Sequence, residues 1–124
     1  MNQYHHGILI CIILTLMSCA RYPIPDSRIS VEPWVQRKVE FQSPDIRSIK
    51  GDFIEIQIKG LNTTSNRLTL QYRTAFTDNQ GYEIESIMNR WNDLEVAERQ
   101  AFTIQAVSPS PQAQDFTIYI RKVK

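Results

Sequence analysis

From Trp34 onward, apolar side chains recur at every second position, the period of strands that bury one face and wet the other. Val35, Arg37, Val39 and Phe41 make the first case, with Arg37 interrupting the apolar row. Ile54, Ile56 and Ile58 then alternate with Glu55, Gln57 and Lys59, which predicts a half-buried strand. Leu68, Leu70, Tyr72, Thr74 and Phe76 repeat the pattern against Thr69, Gln71 and Arg73. Asp78 to Gly81 supplies turn chemistry, with Gly81 free to take a positive φ, and returns Tyr82 to Ile84 as a hairpin partner. Phe102, Ile104 and Ala106 form another strand, Ser108 to Pro111 a loop, and Phe116, Ile118 and Ile120 a last strand. Only Asn92 to Gln100 could be helical, and its Leu94 and Val96 alternate instead. About six or seven short strands in roughly ninety residues predict an all-β fold, an antiparallel β-sandwich of two packed sheets. Trp91 is the first candidate to close its core and Trp34 the second.

Upstream, the pattern is different. The apolar run from Gly7 to Met17 is about eleven residues long, well short of the roughly 20 that cross a bilayer as a helix. It has the size of a signal-peptide core. It ends in Leu16, Met17, Ser18 and Cys19, which resemble the lipobox of Gram-negative lipoproteins. In that group the thiol is diacylglycerylated and becomes the new N-terminus. Cys11 follows Ile10, which is too bulky for such cleavage. Met17 stands where a small or β-branched residue is more usual, and residues 1–7 carry no Lys or Arg. No Asp, Glu, Lys or Arg precedes Cys19, whereas the chain after it is dense in them, a contrast that marks a processing boundary.

These patterns divide the chain into a signal peptide over 1–18, the lipidated Cys19 with a tether over 19–33, and a β-sandwich domain over 34–124. Pro23, Pro25 and Pro33 oppose helix and favour extended segments. Ala20 to Arg28 would span roughly 28 Å at about 3.1 Å per residue, although Ile29 to Val31 could already pair with the domain. The lipoprotein sorting rule retains proteins with Asp after the lipidated Cys in the inner membrane. Ala20 therefore implies an outer-membrane address, with the domain in the periplasm. Acyl chains on Cys19, palmitate among them, would supply the membrane contact, at about 0.8 kcal/mol per buried methylene.

Processing also removes chemistry. His5, His6 and Cys11 leave with residues 1–18, and Cys19 is consumed by lipid. The mature domain then cannot build a Ser-His-Asp triad, a Cys-His pair, a disulfide or a Cys/His zinc site. No metal or cofactor is expected, and only carboxylate, Lys or Tyr chemistry survives. With 14 basic and 13 acidic side chains and a net charge of +1, the chain has no electrostatic footprint for nucleic acid.

In the second half, Leu70 to Arg73, Asp78 to Ile84, Trp91 and Gln105 to Phe116 resemble the pattern of the YcfL-like family. These are small Gram-negative lipoproteins whose shared domain has no assigned function. The resemblance covers roughly Gly51 to Lys124. It implies an immunoglobulin-like sandwich in the periplasm and supplies no catalytic residue. Thr74 and Ala75 stand where that family often carries a second aromatic near Phe76.

Several residues remain as candidates, each with a plainer explanation beside it. Glu83 and Glu85, two apart on an expected strand, would set their Cα atoms roughly 6.5 to 7 Å apart, which suits paired carboxylates acting on a glycan or a solvated strand face. Arg73 could read an anionic sugar or a partner's carboxylate, or simply face solvent. Arg121, Lys122 and Lys124 could touch anionic lipid or end a strand. Asn62 to Thr64 matches a glycosylation sequon. The loop Ser108, Pro109, Ser110, Pro111 and Gln112 is the candidate interaction loop, because loops on a rigid sandwich commonly carry recognition; a stiff turn is the alternative. The expected role is a non-catalytic binding or accessory module with an envelope protein partner; the alternative is wall-glycan (peptidoglycan) binding or cleavage.

Overall fold

The computed structural model describes residues 26–87 and 89–124. They form a sandwich of eight strands with one short helix: β1 (Ile29–Val31), α1 (Pro33–Gln36), β2 (Val39–Phe41), β3 (Asp45–Ser48), β4 (Ile54–Asn62), β5 (Leu68–Thr77), β6 (Asn92–Val96), β7 (Ala101–Val107) and β8 (Asp115–Lys122). One sheet has the order β1-β8-β5-β6. In the other, β4 is central, with β7 along one side and the short β2 and β3 along the other.

The alternation seen in the sequence becomes burial. Ile56 and Ile58 of β4, Leu68, Leu70 and Phe76 of β5, Ile104 of β7 and Phe116, Ile118 and Ile120 of β8 fill the space between the sheets. The Phe76 and Phe116 rings lie 6.4 Å apart, tilted by 52°. Gly60 shares a row with Phe41 and Phe102, whose rings meet edge to face at 6.0 Å. A Cβ on Gly60 would come within 2.4 Å of the Phe102 ring, so this position is glycine because an aromatic ring occupies the space a side chain would need. Gly81 takes φ +85° in a turn where Asp78 Oδ1 accepts from the backbone N–H groups of Gln80 and Tyr82.

Two features depart from the pattern reading, the helix at Trp34 and one parallel strand pairing, and two complete it. Trp34 and Val35 belong to α1, since Pro33 at its start pre-sets the helical φ. Val35 is fully buried, and the Trp34 ring is partly buried with the Lys38 and Lys122 ammonium groups at 5.0 and 4.7 Å. Ile29 to Val31 pairs with β8, so the ordered fold takes in chain upstream of Trp34. That pairing is parallel, whereas every other strand pairing is antiparallel. Tyr82 to Ile84 returns antiparallel to the end of β5 through a short hairpin, the bridge Thr77 to Glu83 flanked by hydrogen bonds from Ile84 N to Phe76 O and from Asp78 N to Tyr82 O.

Trp91 does not close the core. It lies outside the buried cluster, only partly covered, and its ring stacks against the Arg121 guanidinium at 3.7 Å. Asn62 is a polar residue within that interior and is wholly buried. Its Nδ2 donates to the carbonyls of Asn66 at 2.8 Å and Ala97 at 3.1 Å, and its Oδ1 accepts from Thr64 N and Thr64 Oγ1 at 2.9 and 2.8 Å. A side chain so enclosed ties the β4–β5 turn to the β6–β7 turn and is closed to glycosylation.

Candidate functional site

The outward positions of the β1-β8-β5-β6 sheet carry the most organised surface of the domain. Register places Arg73 beside Tyr119, and Gln71 between Arg121 and Asp93. The Arg73 guanidinium lies over the Tyr119 ring at 4.8 Å and donates to Glu83 Oε1 at 2.9 Å. Asn89 Nδ2 donates to the same carboxylate oxygen at 3.0 Å and to Ile84 O at 2.9 Å. One strand row away, Arg121 stacks on Trp91 at 3.7 Å and its Nε donates to Gln71 Oε1, whose Nε2 donates to Asp93 Oδ1. Two arginine–aromatic stacks thus stand side by side, each held by an acidic or amide partner. Such stacks contribute about 0.5–1 kcal/mol each at exposed sites. Their main effect is to fix long side chains in one geometry.

Beside this face the segment after the hairpin turn opens a cleft of about 550 Å³ lined by Glu83, Glu85, Ser86, Ile87 and Asn89. Ile87 is 86% exposed and Tyr82 70% exposed, the most exposed large apolar side chains among the described residues. Asn89 Oδ1 is buried without a hydrogen-bond partner. Glu83 and Glu85 share the cleft, but Glu83 is engaged by Arg73 and Asn89, and Glu85 lies outside the strands. The arrangement holds a carboxylate in place as an acceptor more than it presents a pair of free acids.

The candidate loop is stitched down. Ser108 is buried, its Oγ accepting from Ile54 N at 3.0 Å while its own N–H donates to Ile54 O at 2.8 Å. Ser110 Oγ accepts from Gln112 N at 3.1 Å, and Ala113 is buried. Pro109 and Ser110 are half-buried, which leaves Pro111 and Gln112 exposed. Gln112 faces a shallow cleft of about 420 Å³ shared with Asp78, Asn79, Gln80 and Gln114. The basic run at the C-terminus is split: Arg121 lies on Trp91, Lys122 on Trp34 at the far side of the strand, and Lys124 is exposed. Cys19, Leu16, Met17 and Ser18 lie outside the described residues, as do His5, His6 and the tether up to Pro25. Pattern reading missed Gln71, Asp93 and Tyr119, although an aromatic at an outward position of the last strand is the signal that could have found them.

Among the described residues no helix is long and apolar enough to cross a membrane, and no group of His, Cys, Asp and Glu could hold a metal ion. No curated protein matches the chain. The crystal structure of a DUF1425 family member from Shewanella sp. pv-4 superposes with a TM-score of 0.62 at 20% identity, covering 69% of this chain and 79% of that one. The crystal structure of Campylobacter jejuni cj0090 superposes with a TM-score of 0.66 at 12% identity, covering 79% of this chain and 100% of that one. At these identities both establish the sandwich alone, and no catalytic family is among the matches. Residues 27–122 match the family model described as Protein of unknown function (DUF1425), and the chain therefore belongs to the DUF1425 family.

Proposed function

We propose that the domain is a non-catalytic binding module, held at the outer membrane through acyl groups on Cys19, that docks another envelope protein on the outward face of its β1-β8-β5-β6 sheet. The observation that carries this reading is the pair of adjacent stacks, Arg73 on Tyr119 and Arg121 on Trp91, anchored by Glu83, Gln71 and Asp93 on one rigid sheet. Arg, Tyr and Trp are the residues that dominate binding energy at protein interfaces, and side chains already fixed lose little entropy on docking. The lipobox at Leu16 to Cys19 and the likeness to YcfL-like lipoproteins support the membrane anchor.

A photoreactive residue at Ile87 in intact cells tests the face. One discrete protein adduct is expected, lost when Arg73 and Arg121 are both changed to Ala; adducts with bulk lipoproteins alone would refute the reading. Mass spectrometry of the mature N-terminus tests the anchor, with diacylglyceryl on Cys19 expected. The second reading, a wall-glycan binder, draws on the cleft around Glu83, Glu85 and Asn89. Sedimentation of the protein with purified murein supports it, and loss of sedimentation in Glu83→Gln would place binding there.

A further inference from the structure

Strand β7 is paired on one side only among the described residues, with its ladder running to β4. Proteins usually protect such edges by keeping them short, charged or interrupted by proline. The other edges here follow that rule. β1 and β2 have three residues each, β3 carries Asp45 and Arg47, and β6 carries Asp93 and Glu95. β7 does not: its seven residues, Ala101–Val107, include no charge and no proline. Ser108 N donates to Ile54 O and Asn62 N donates to Gln100 O, so even-numbered positions turn their backbone polar groups toward β4. Ala101, Thr103, Gln105 and Val107 consequently turn theirs away from it.

Next to this edge the sandwich gapes. The β5–β6 ladder ends at Tyr72 and Asn92, and a cleft of about 200 Å³ opens between the sheets. It is lined by Tyr72, Thr74, Phe76, Arg90 and Asn92 on one side and Gln105 and Ala106 of β7 on the other. With roughly 30 Å³ per water in the liquid, that space suits one branched aliphatic side chain. Arg90 is the one charged residue lining it, is exposed, and has no ion pair among the described residues.

We propose that β7 is a strand-addition site: an extended segment of a partner protein pairs with its open edge, seats one apolar side chain between the sheets against Phe76 and Ala106, and sets an acidic side chain against Arg90. Main-chain hydrogen bonds supply the affinity, and the cleft with its cation supplies the selectivity. A second copy of this chain is the poorer occupant, because its own β7 has no acid to meet Arg90. The proposal goes beyond the protein-binding reading, since it uses a different surface in the other sheet.

The probe is a set of nine-residue peptides of alternating Thr and Val, with Val, Ile, Leu or Phe at the centre and Glu or Gln two residues on. It is titrated into the 15N-labelled full chain in detergent micelles. At least one Glu peptide is expected to bind saturably, shifting the amides of Thr103, Gln105 and Val107. Gln105→Pro removes an edge N–H and none that faces β4, and should weaken binding about tenfold or more, as expected for lost main-chain bonds worth about 1.4 kcal/mol. N-methylation of the peptide's pairing amides should weaken it likewise, and tests the point even where Gln105→Pro loses its fold. Arg90→Gln should reduce the Glu peptide to the level of the Gln peptide. No shift along β7, equal binding by the N-methylated peptide, or β7 shifts produced by raising protein concentration alone would each overturn the proposal. Shifts confined to Tyr119 and Arg121 would overturn it too while leaving the binding-module reading intact. That reading fails separately, if Ile87 crosslinks to no discrete protein in cells.

Discussion

Replacing Asn62 by Ala should be among the most damaging single changes in the domain that leave its apolar core untouched. The wild-type side chain makes four hydrogen bonds of 3.1 Å or shorter, two donated to the carbonyls of Asn66 and Ala97 and two accepted from Thr64. Each is worth about 1 kcal/mol net, and a buried group left without its partner costs about 1–3 kcal/mol. Asn62 itself is inaccessible, but Thr64 is only half-buried and can recover water. The expected loss is therefore about 3 kcal/mol rather than the full sum. Urea denaturation followed by intrinsic fluorescence measures it. With a slope of roughly 1–1.5 kcal/mol per molar for a domain this size, the midpoint should fall by about 2–3 M with the slope unchanged. Asn62→Asp keeps the shape but would turn a carboxylate toward two carbonyl oxygens, so its penalty should be larger at pH 7 than at pH 4. A midpoint shift in Asn62→Ala equivalent to less than about 1 kcal/mol, or an Asn62→Asp penalty independent of pH, would refute the claim that this side chain staples the two turns.

Two further outcomes follow from the same geometry. Gly60→Ala should cost about 1–3 kcal/mol by overpacking against the Phe102 ring, and adding Phe102→Leu should recover part of that loss in thermal melts; additive penalties would show that the ring and Gly60 do not interact. The Arg28 side chain, and then its backbone N–H, hold the Asp26 carboxyl at about 2, below the ordinary 3.8. A depressed carboxylate contributes stability above its unfolded value and loses it as pH falls from about 4 to 2. Once solvent screening is allowed for, this contribution is about 1 kcal/mol at neutral pH. Asn at position 26 should flatten that part of the stability curve, and an unchanged curve would remove Asp26 as the titrating group.

The long strands were legible because burial on one face writes a two-residue period into β4, β5, β7 and β8. β3 was not, since all four of its residues are exposed and a strand with neither face covered leaves no period. The pairing of Ile29 to Val31 with the domain stood only as an alternative for a related reason: β1 buries Ile29 alone, too little to mark a strand by its period. Val35 stands in two-residue register with Val39 and Phe41 as a strand residue would, yet the fixed ring of Pro33 decides the local backbone. Trp91 shows the limit of assigning large aromatics to the core. An indole also covers a guanidinium well, and whether Arg121 stands beside it depends on a register between β5, β6 and β8 that no local pattern encodes. The outward network was half visible through Arg73 and Glu83, while Gln71 and Asp93 acquire meaning only across strands. Asn62 read as a sequon because its carbonyl partner at Ala97 lies 35 positions away.

The parallel pairing of β1 with the last strand has a mechanical consequence. Ile118 N donates to Arg28 O and Glu32 N to Ile120 O, at the two ends of the paired stretch. Traction entering ahead of Asp26 and resisted at the far terminus would pull the two strands lengthwise past one another, loading these bonds together in shear rather than peeling them one at a time. A domain tugged by its leading end is thereby clasped by its trailing one.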